Sequence, residues 1–247
     1  MIRQGKPISL SKRLQAIADM VPAGERLADV GCDHGFLDIF LVQTGKIPGA
    51  VAMDVRKGPL AAATAHVKEA GLEREIETRL SDGLSAFSAG EAKTLVIAGM
   101  GGKLTQRILT AFPEKTESFQ DFLFQPQSEL MQFRAFLREN GYEILDERII
   151  LEDGKYYFPM LARQGGVKAK TTETESSLQE VYDRYGEGLI RKKEPLFLQY
   201  LSWQKEVLEG ILQKLPEGED GSDRTSLRRE EVMQEWKALQ RAMELTN

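Results

Sequence analysis

Cysteine is almost missing from this sequence. Cys32 is the only one in 247 residues, which excludes a disulfide framework and a cysteine-built zinc site within one chain. Histidine is nearly as scarce, with His34 and His66 alone, so a histidine-rich metal centre is not expected and no metal is assigned. No apolar run approaches the ~18–20 residues a membrane span needs. The opening Met1-Ile-Arg-Gln-Gly-Lys-Pro lacks the apolar core of a secretion signal. A soluble, cytoplasmic protein with no membrane partner is the expectation. An excess of positive charge is also absent: the net charge is −5 and the pI about 5.4, which argues against nucleic-acid binding by bulk charge alone. A local basic patch is still open, because Arg3, Lys6, Lys12 and Arg13 precede the first acid, Asp19. What the chain does have is 41% hydrophobic and 29% charged residues, enough apolar content to bury a core.

The pattern divides near residue 165. In the first part apolar runs alternate with helical stretches. Ser11–Met20 reads as a helix, with Leu14, Ile17 and Ala18 on one face. Strands are expected at Leu27–Val30, Gly49–Val55, Ile76–Leu80, Thr94–Ala98 and Asp121–Gln125, and helices at Phe36–Thr44, Gly58–Ala70, Lys103–Ala111 and Glu129–Asn140. Strands separated by helices predict a Rossmann-like, doubly wound, mostly parallel α/β sheet. Tyr142–Leu151 and Lys155–Arg163 read as two further strands. The three residues between them are too few for a crossover, so they predict an antiparallel edge hairpin. Gln164-Gly-Gly reads as a hinge between a domain of residues 1–165 and a helical domain of residues 166–247. In the latter, apolar stripes from Leu196 to Leu215 and from Leu227 to Met243, separated by the polar loop Pro216–Ser226, predict a coiled-coil-like α-helical hairpin.

Four loops at strand ends carry the chemical signals. The first, Asp29-Val-Gly31-Cys-Asp33-His-Gly35, has the tight turn of a dinucleotide fingerprint but puts Asp33 where the middle glycine stands. A carboxylate there repels a pyrophosphate, which disfavours an NAD-dependent dehydrogenase, and suits a cation such as a sulfonium with an α-amino group. Asp54, 23 positions after Gly31, lies near the ~20-residue offset of a ribose-binding acid. Asp82-Gly83 suits recognition of adenine through its exocyclic amine. Gly99-Met-Gly101-Gly102 after the fourth strand would let a bulky substrate come close in the crevice at the strand carboxyl ends.

Leu27-Ala-Asp-Val-Gly-Cys-Asp-His-Gly-Phe-Leu, Ala98-Gly-Met-Gly-Gly and Gln125-Pro126 together resemble the bacterial tRNA (adenine-22-N1)-methyltransferases, the TrmK family. These belong to the class I S-adenosylmethionine-dependent methyltransferases. Leu10-Ser-Lys-Arg-Leu, Asn140-Gly-Tyr and the helical hairpin are similar too, so the resemblance covers nearly the whole chain. It implies S-adenosylmethionine as cofactor and tRNA as partner. By position, Asp29, Gly31, Cys32, Asp33, His34 and Gly35 would surround the methionine end, Asp54 and Val55 the ribose, and Asp82, Gly83 and Leu84 the adenine, with Gly99 alongside. Asp33, Gly99, Met100 and Gly101 would shape the catalytic site, and Lys12, Arg13, Gly101, Gly102, Gln125 and Pro126 would meet the substrate. The Asn/Asp-Pro-Pro-Tyr motif of exocyclic-amine methyltransferases is absent. Adenine N1 needs less help, because its in-plane lone pair is free at neutral pH; no essential general base is expected. The alternatives are a methyltransferase of this class acting on another RNA, a protein or a small molecule, and a non-catalytic partner protein on the same scaffold.

Several residues have plainer readings. His34 reads equally as a turn histidine bonded to backbone, His66 as a surface residue, and Cys32 as a small side chain filling a turn. Phe112 or Phe119 could stack on a flipped base. From residue 168 onward 13 Lys and Arg stand against 16 Asp and Glu, so the helical hairpin serves either the tRNA or dimerisation. Monomer and homodimer both stay open.

Overall fold

The computed structural model describes residues 8–166, 176–215 and 223–247. The chain divides into two compact units, Met1–Ala169 and Lys170–Asn247.

The first unit opens with α1 (Lys12–Met20), started by Ser11, whose hydroxyl accepts the Leu14 N–H at 3.3 Å. There follow β1 (Leu27–Val30), α2 (Phe36–Gln43), β2 (Ala50–Asp54), α3 (Lys57–Glu69), β3 (Ile76–Leu80), β4 (Thr94–Met100), α4 (Gly102–Ala111), the single turn α5 (Pro113–Thr116), β5 (Asp121–Pro126) and α6 (Leu130–Glu139). The strands β1, β2 and β5 are buried along their whole length. That is why they read as continuous apolar runs rather than as alternation. The last elements are β6 (Tyr142–Glu147), β7 (Ile150–Glu152), β8 (Lys155–Tyr157) and β9 (Met160–Gln164).

Seven strands form one sheet in the order β3-β2-β1-β4-β5-β9-β6. The first five are parallel, and β9 is antiparallel to both β5 and β6. Strand order reverses between β1 and β4, so the ligand crevice of a doubly wound sheet is expected there.

The two long strands expected after residue 141 break into four. Pro159 has no N–H to give to a ladder, and its carbonyl instead accepts the Arg148 N–H at 3.0 Å. The chain bends at that pair, and β7 with β8 leaves the sheet as a separate two-stranded ribbon. β9 then returns between β5 and β6, so the outer edge is β6. The expected hinge is tied down: the N–H groups of Gly165 and Gly166 both donate to the Gly141 carbonyl, at 3.1 and 2.9 Å.

One layer of the core packs α1, α2 and α3 on the sheet through Ile17, Ile39, Leu41, Val67 and Val96. An aromatic chain supports another part of the sheet, with Phe119 stacked on Phe87 at 4.8 Å and Phe124 edge-on to Phe133 at 5.1 Å. Phe119 is therefore core rather than a platform for a base. Phe112 is covered by the Lys115 ammonium, 4.5 Å from its ring centre.

The second unit contains α7 (Ser176–Tyr185), α8 (Glu187–Lys192), α9 (Pro195–Leu212) and α10 (Asp223–Thr246). The two apolar stripes are α9 and α10, which pack together through buried residues such as Leu201, Leu208, Val232 and Leu239. The shorter α7 and α8 also pack on α10 and were not expected, because Gly186 interrupts their pattern after less than three turns. Arg229 donates to the Leu215 carbonyl at 2.9 Å, satisfying the carboxyl end of α9. Residues 216–222 of the expected acidic loop lie outside the described residues. Among the described residues no helix is long and apolar enough to cross a membrane.

Candidate active site

A cleft of ≈ 650 Å³ opens at the carboxyl ends of β1, β2, β3 and β4. That is the size of an ordinary small-molecule site. The chain reaches it by a series of left-handed turns. Gly31 has φ +83°, Asp33 φ +51° and Gly35 φ +70°, so the backbone from 31 to 35 folds back on itself before α2 begins. At Gly31 a side chain would run into the methyl group of Met100, so the two loops close on each other there. Asp33 is the one non-glycine residue of that turn at positive φ, a conformation aspartate tolerates better than most. Its carboxylate is well exposed, 3.9 Å from His34 and 4.0 Å from Arg56.

Asp54 ends β2 and is 4% exposed. Its Oδ1 accepts the Arg56 backbone N–H at 2.7 Å and has the Arg56 side chain 3.6 Å away. This fixes the carboxyl in the cleft wall with Val55 beside it. After β3, the Ser81 hydroxyl donates to the Gly83 carbonyl at 2.7 Å and accepts the Ala86 N–H at 3.0 Å. That closed turn presents Asp82 to the cleft. Gly83 lies so close under Ile108 of α4 that an added Cβ would sit 3.2 Å from it.

The opposite wall starts at Gly99, which sits at an irregularity in the β4–β5 ladder with φ +80°. Arg13 reaches across from α1. Its guanidinium donates to Gln125 Oε1 at 2.9 Å and lies 5.6 Å from the Tyr157 ring centre. Gln127 follows β5 and also lines the cleft.

Of the residues anticipated from sequence, the cleft brings together Arg13, Asp29, Gly31, Cys32, Asp33, His34, Asp54, Val55, Asp82, Gly83, Gly99 and Met100. It does not include Lys12, Gly35, Leu84, Gly101, Gly102, Gln125 or Pro126. The reasons are local. Leu84 is fully buried in the core. Lys12 is exposed on α1, away from the lining, and Arg3 and Lys6 lie outside the described residues. Gln125 is also fully buried and serves as the acceptor that holds Arg13. Pro126 is buried beside it. A Cβ on Gly102 would lie 2.9 Å from the Ser128 carbonyl, and one on Gly101 3.0 Å from the Ser128 hydroxyl. These two glycines therefore make room for the turn after β5, not for a ligand. A Cβ on Gly35 would lie 3.3 Å from that of Ala63, so this glycine seats α2 on α3.

Sequence reasoning missed Arg56, Arg107, Ile108 and Gln127. Leu104, Arg107 and Ile108 stand at i, i+3 and i+4 of α4, a spacing that marks one face but not which face meets a ligand. One histidine reading changes. The His66 ring nitrogen Nδ1 lies 3.0 Å from the His34 carbonyl, and its ring stacks on Phe36 at 4.7 Å, so it is a partner of the first loop rather than a free surface residue.

Asp29 is buried and faces Asp38, itself completely buried on α2 with neither carboxyl oxygen hydrogen-bonded among the described residues. Burial pushes the Asp29 carboxyl up to about 7. Burial and the adjacent Asp29 also push Asp38 well above the usual carboxylate range. The Cys32 thiol is pushed up as well, by burial and then by Asp29, which keeps it protonated and unreactive. Among the described residues no group of three His, Cys, Asp or Glu is placed to hold a metal ion.

The sequence and the fold are matched in known proteins. Residues 10–160 fit the family model of a methyltransferase domain. The tRNA (adenine(22)-N(1))-methyltransferase of Bacillus subtilis (strain 168) is 32% identical over 213 residues, 86% of this chain and 88% of that protein. The chain belongs to this methyltransferase family. The crystal structure of the B. subtilis m1A22 tRNA methyltransferase shares its fold with a TM-score of 0.81 at 29% identity, covering 95% of this chain and 98% of the other. A crystal structure of Streptococcus pneumoniae Sp1610 in complex with S-adenosyl-L-methionine has a TM-score of 0.81 at 31% identity, covering 95% and 99%. As in these methyltransferases, the sheet is mostly parallel with an antiparallel pair beside it.

Proposed function

We propose that the chain transfers the methyl group of S-adenosylmethionine to N1 of adenine 22 in tRNA. The observation that carries this reading is one cleft in which Asp33, Asp54 and Asp82 stand at the ends of three successive strands, facing Arg13 and Gly99. The donor set fits the cofactor. Asp54 is held rigid for the two ribose hydroxyls, Asp82 for the exocyclic amine of adenine, and Asp33 with Asp29 for the cationic methionine end. Gly31 and Gly83 let Met100 and Ile108 pack close against the strand-end turns, where a Cβ would meet them. When bound, the cofactor supplies an electrophilic methyl group on a sulfonium.

The remaining work falls to this chain's residues. Gly99 and Met100 bound the space beside the methyl group, so the base approaches in line. Positioning is the main source of rate, since adenine N1 offers its lone pair without prior proton removal. The methylated base carries a positive charge, and Asp33 lowers the energy of that charge as it develops. Arg13, pinned to Gln125, orients the incoming nucleotide rather than moving a proton. Residues 1–165 form the cofactor and catalytic domain, residues 166–247 a helical domain, and the enzyme works in the cytoplasm.

The test is incubation with unmodified bulk tRNA and labelled S-adenosylmethionine, followed by nucleoside mass spectrometry. N1-methyladenosine mapping to position 22 is the expected product. Cofactor binding with no label in tRNA would refute the substrate assignment and leave the cofactor assignment intact.

A further inference from the structure

Two carboxyl groups are buried next to the first loop, and among the described residues neither has an ion-pair partner. Asp29, the third residue of β1, is 5% exposed, and Asp38, in the first turn of α2, is not exposed. Among the described residues neither oxygen of Asp38 has a hydrogen-bond donor, and the charged group that faces it is Asp29. Two carboxylates cannot hydrogen-bond to each other unless one carries a proton. The groups that face Asp29 are Asp38 from α2, Asp54 from β2, Arg13 from α1 and Asp33 from the loop itself. Three of these four are acids, and the arginine is engaged by Gln125. Asp38 faces only Asp29 and its own backbone. Asp29 thus lines the cleft, and the buried, unsatisfied Asp38 carboxyl faces it from α2.

We propose that Asp38 is a positioning residue that acts through Asp29: it holds the shared proton, so that Asp29 meets the cationic end of the cofactor as a carboxylate, and cofactor binding expels the second proton of the pair. This rests on the placement of the cofactor in the cleft. The sign follows from linkage. A cation binds the pair with one proton better than the pair with two. Affinity is then flat where Asp29 is already ionised and falls tenfold per pH unit below its titration point. Burial sets that point at about 7 rather than in the ordinary carboxylate range. A proton held by Asp38 and donated to Asp29 is what keeps it from rising further.

The experiment is the affinity of the whole protein for S-adenosylmethionine, measured by calorimetry between about pH 5.5 and 8.5 in buffers of different ionisation enthalpy. The expected result is a plateau above neutral pH, a tenfold loss per unit below it, and about one proton released per cofactor bound near pH 6. In Asp38→Leu the break moves to higher pH and affinity near pH 7.5 drops roughly tenfold. Asp38→Asn still donates to Asp29 and keeps the wild-type break or lowers it. A merely structural Asp38 would change the melting temperature of both variants without moving the break.

S-adenosylhomocysteine, which lacks the sulfonium charge, separates the two cationic groups. A pH dependence kept with it means the pair reads the ammonium; one seen with S-adenosylmethionine alone means it reads the sulfonium. The proposal fails if wild-type affinity is independent of pH over this range, or if Asp38→Leu folds and keeps the wild-type break. If Asp38→Leu does not fold, proton release by the wild type decides alone. No cofactor binding at any pH would instead remove the placement of the cofactor on which the proposal rests.

Discussion

Two glycine-rich loops face each other across the cleft, and they use their glycines differently. In the loop from Gly31 to Gly35 the glycines sit at positive φ, and between them stands a charged side chain, Asp33, at positive φ as well. In the loop from Gly99 to Gly102 no side chain is charged, and only Gly99 has positive φ. Gly101 and Gly102 are small because Ser128 and Glu129 press on them. The Glu129 carboxylate accepts the Lys103 N–H at 3.3 Å, at the amino end of α4. Its acidity is increased mainly by the Ser128 hydroxyl, which donates to it at 2.7 Å. An acid at that end satisfies a free N–H of the helix and complements its dipole. In both loops the glycines make room for protein neighbours, Met100 and Ala63 in the first and Ser128 and Glu129 in the second, but the first also sets a charged side chain, Asp33, in the cleft. A glycine in a sequence announces a close approach but not what approaches.

Substitutions can separate the two cases. The largest effect is expected for Gly102→Val, which forces side-chain atoms against the Ser128 carbonyl and should cost roughly 3 kcal/mol of folding stability. Chemical denaturation measures it, and cofactor affinity of the folded fraction should stay within about twofold of wild type. Asp54→Ala should do the reverse. Losing a charged acceptor predicts about 1.5–3 kcal/mol of cofactor affinity, read by titration calorimetry, with a small change in melting temperature. Unchanged affinity would remove Asp54 from the site.

Gly31→Ala should fall between them. The positive φ alone predicts about 1 kcal/mol of strain, and the added methyl also displaces Met100. Pairing it with Met100→Ala relieves the contact but not the strain. The double variant should therefore recover part of the stability lost in Gly31→Ala, and full recovery would show that the backbone conformation costs nothing.

Most of the parallel sheet could be read from the sequence. Strands such as β2 and β5 are buried on both faces and give short continuous apolar runs. The acids at strand ends were legible because topology alone places Asp54 and Asp82 at one end of the sheet. What could not be read depends on contacts between distant segments. Gln125 looked like a substrate residue, and only the position of Arg13 shows it as that arginine's acceptor. Leu84 looked like part of the adenine site because it follows Asp82-Gly83, but the turn closed by Ser81 aims it inward. The break of the last two strands depends on one proline pairing with Arg148, a signal that apolar alternation overrides. Asp38 passed unnoticed because a helix aspartate normally reads as a solvated residue.

The tie between Arg13 and Gln125 spans 112 positions of chain. Residues on the cofactor side of the cleft fall in successive clusters between Asp29 and Ile108, each at the end of the next strand or on α4. Contacts of short sequence separation close sooner and at lower entropic cost than distant ones. During synthesis the part that holds a small molecule is thus complete once α4 has emerged. The Arg13 wall must wait for α1 to be met by β5 and then by the β7–β8 ribbon that carries Tyr157. The order of manufacture completes the strand-end pocket first and the Arg13 wall last.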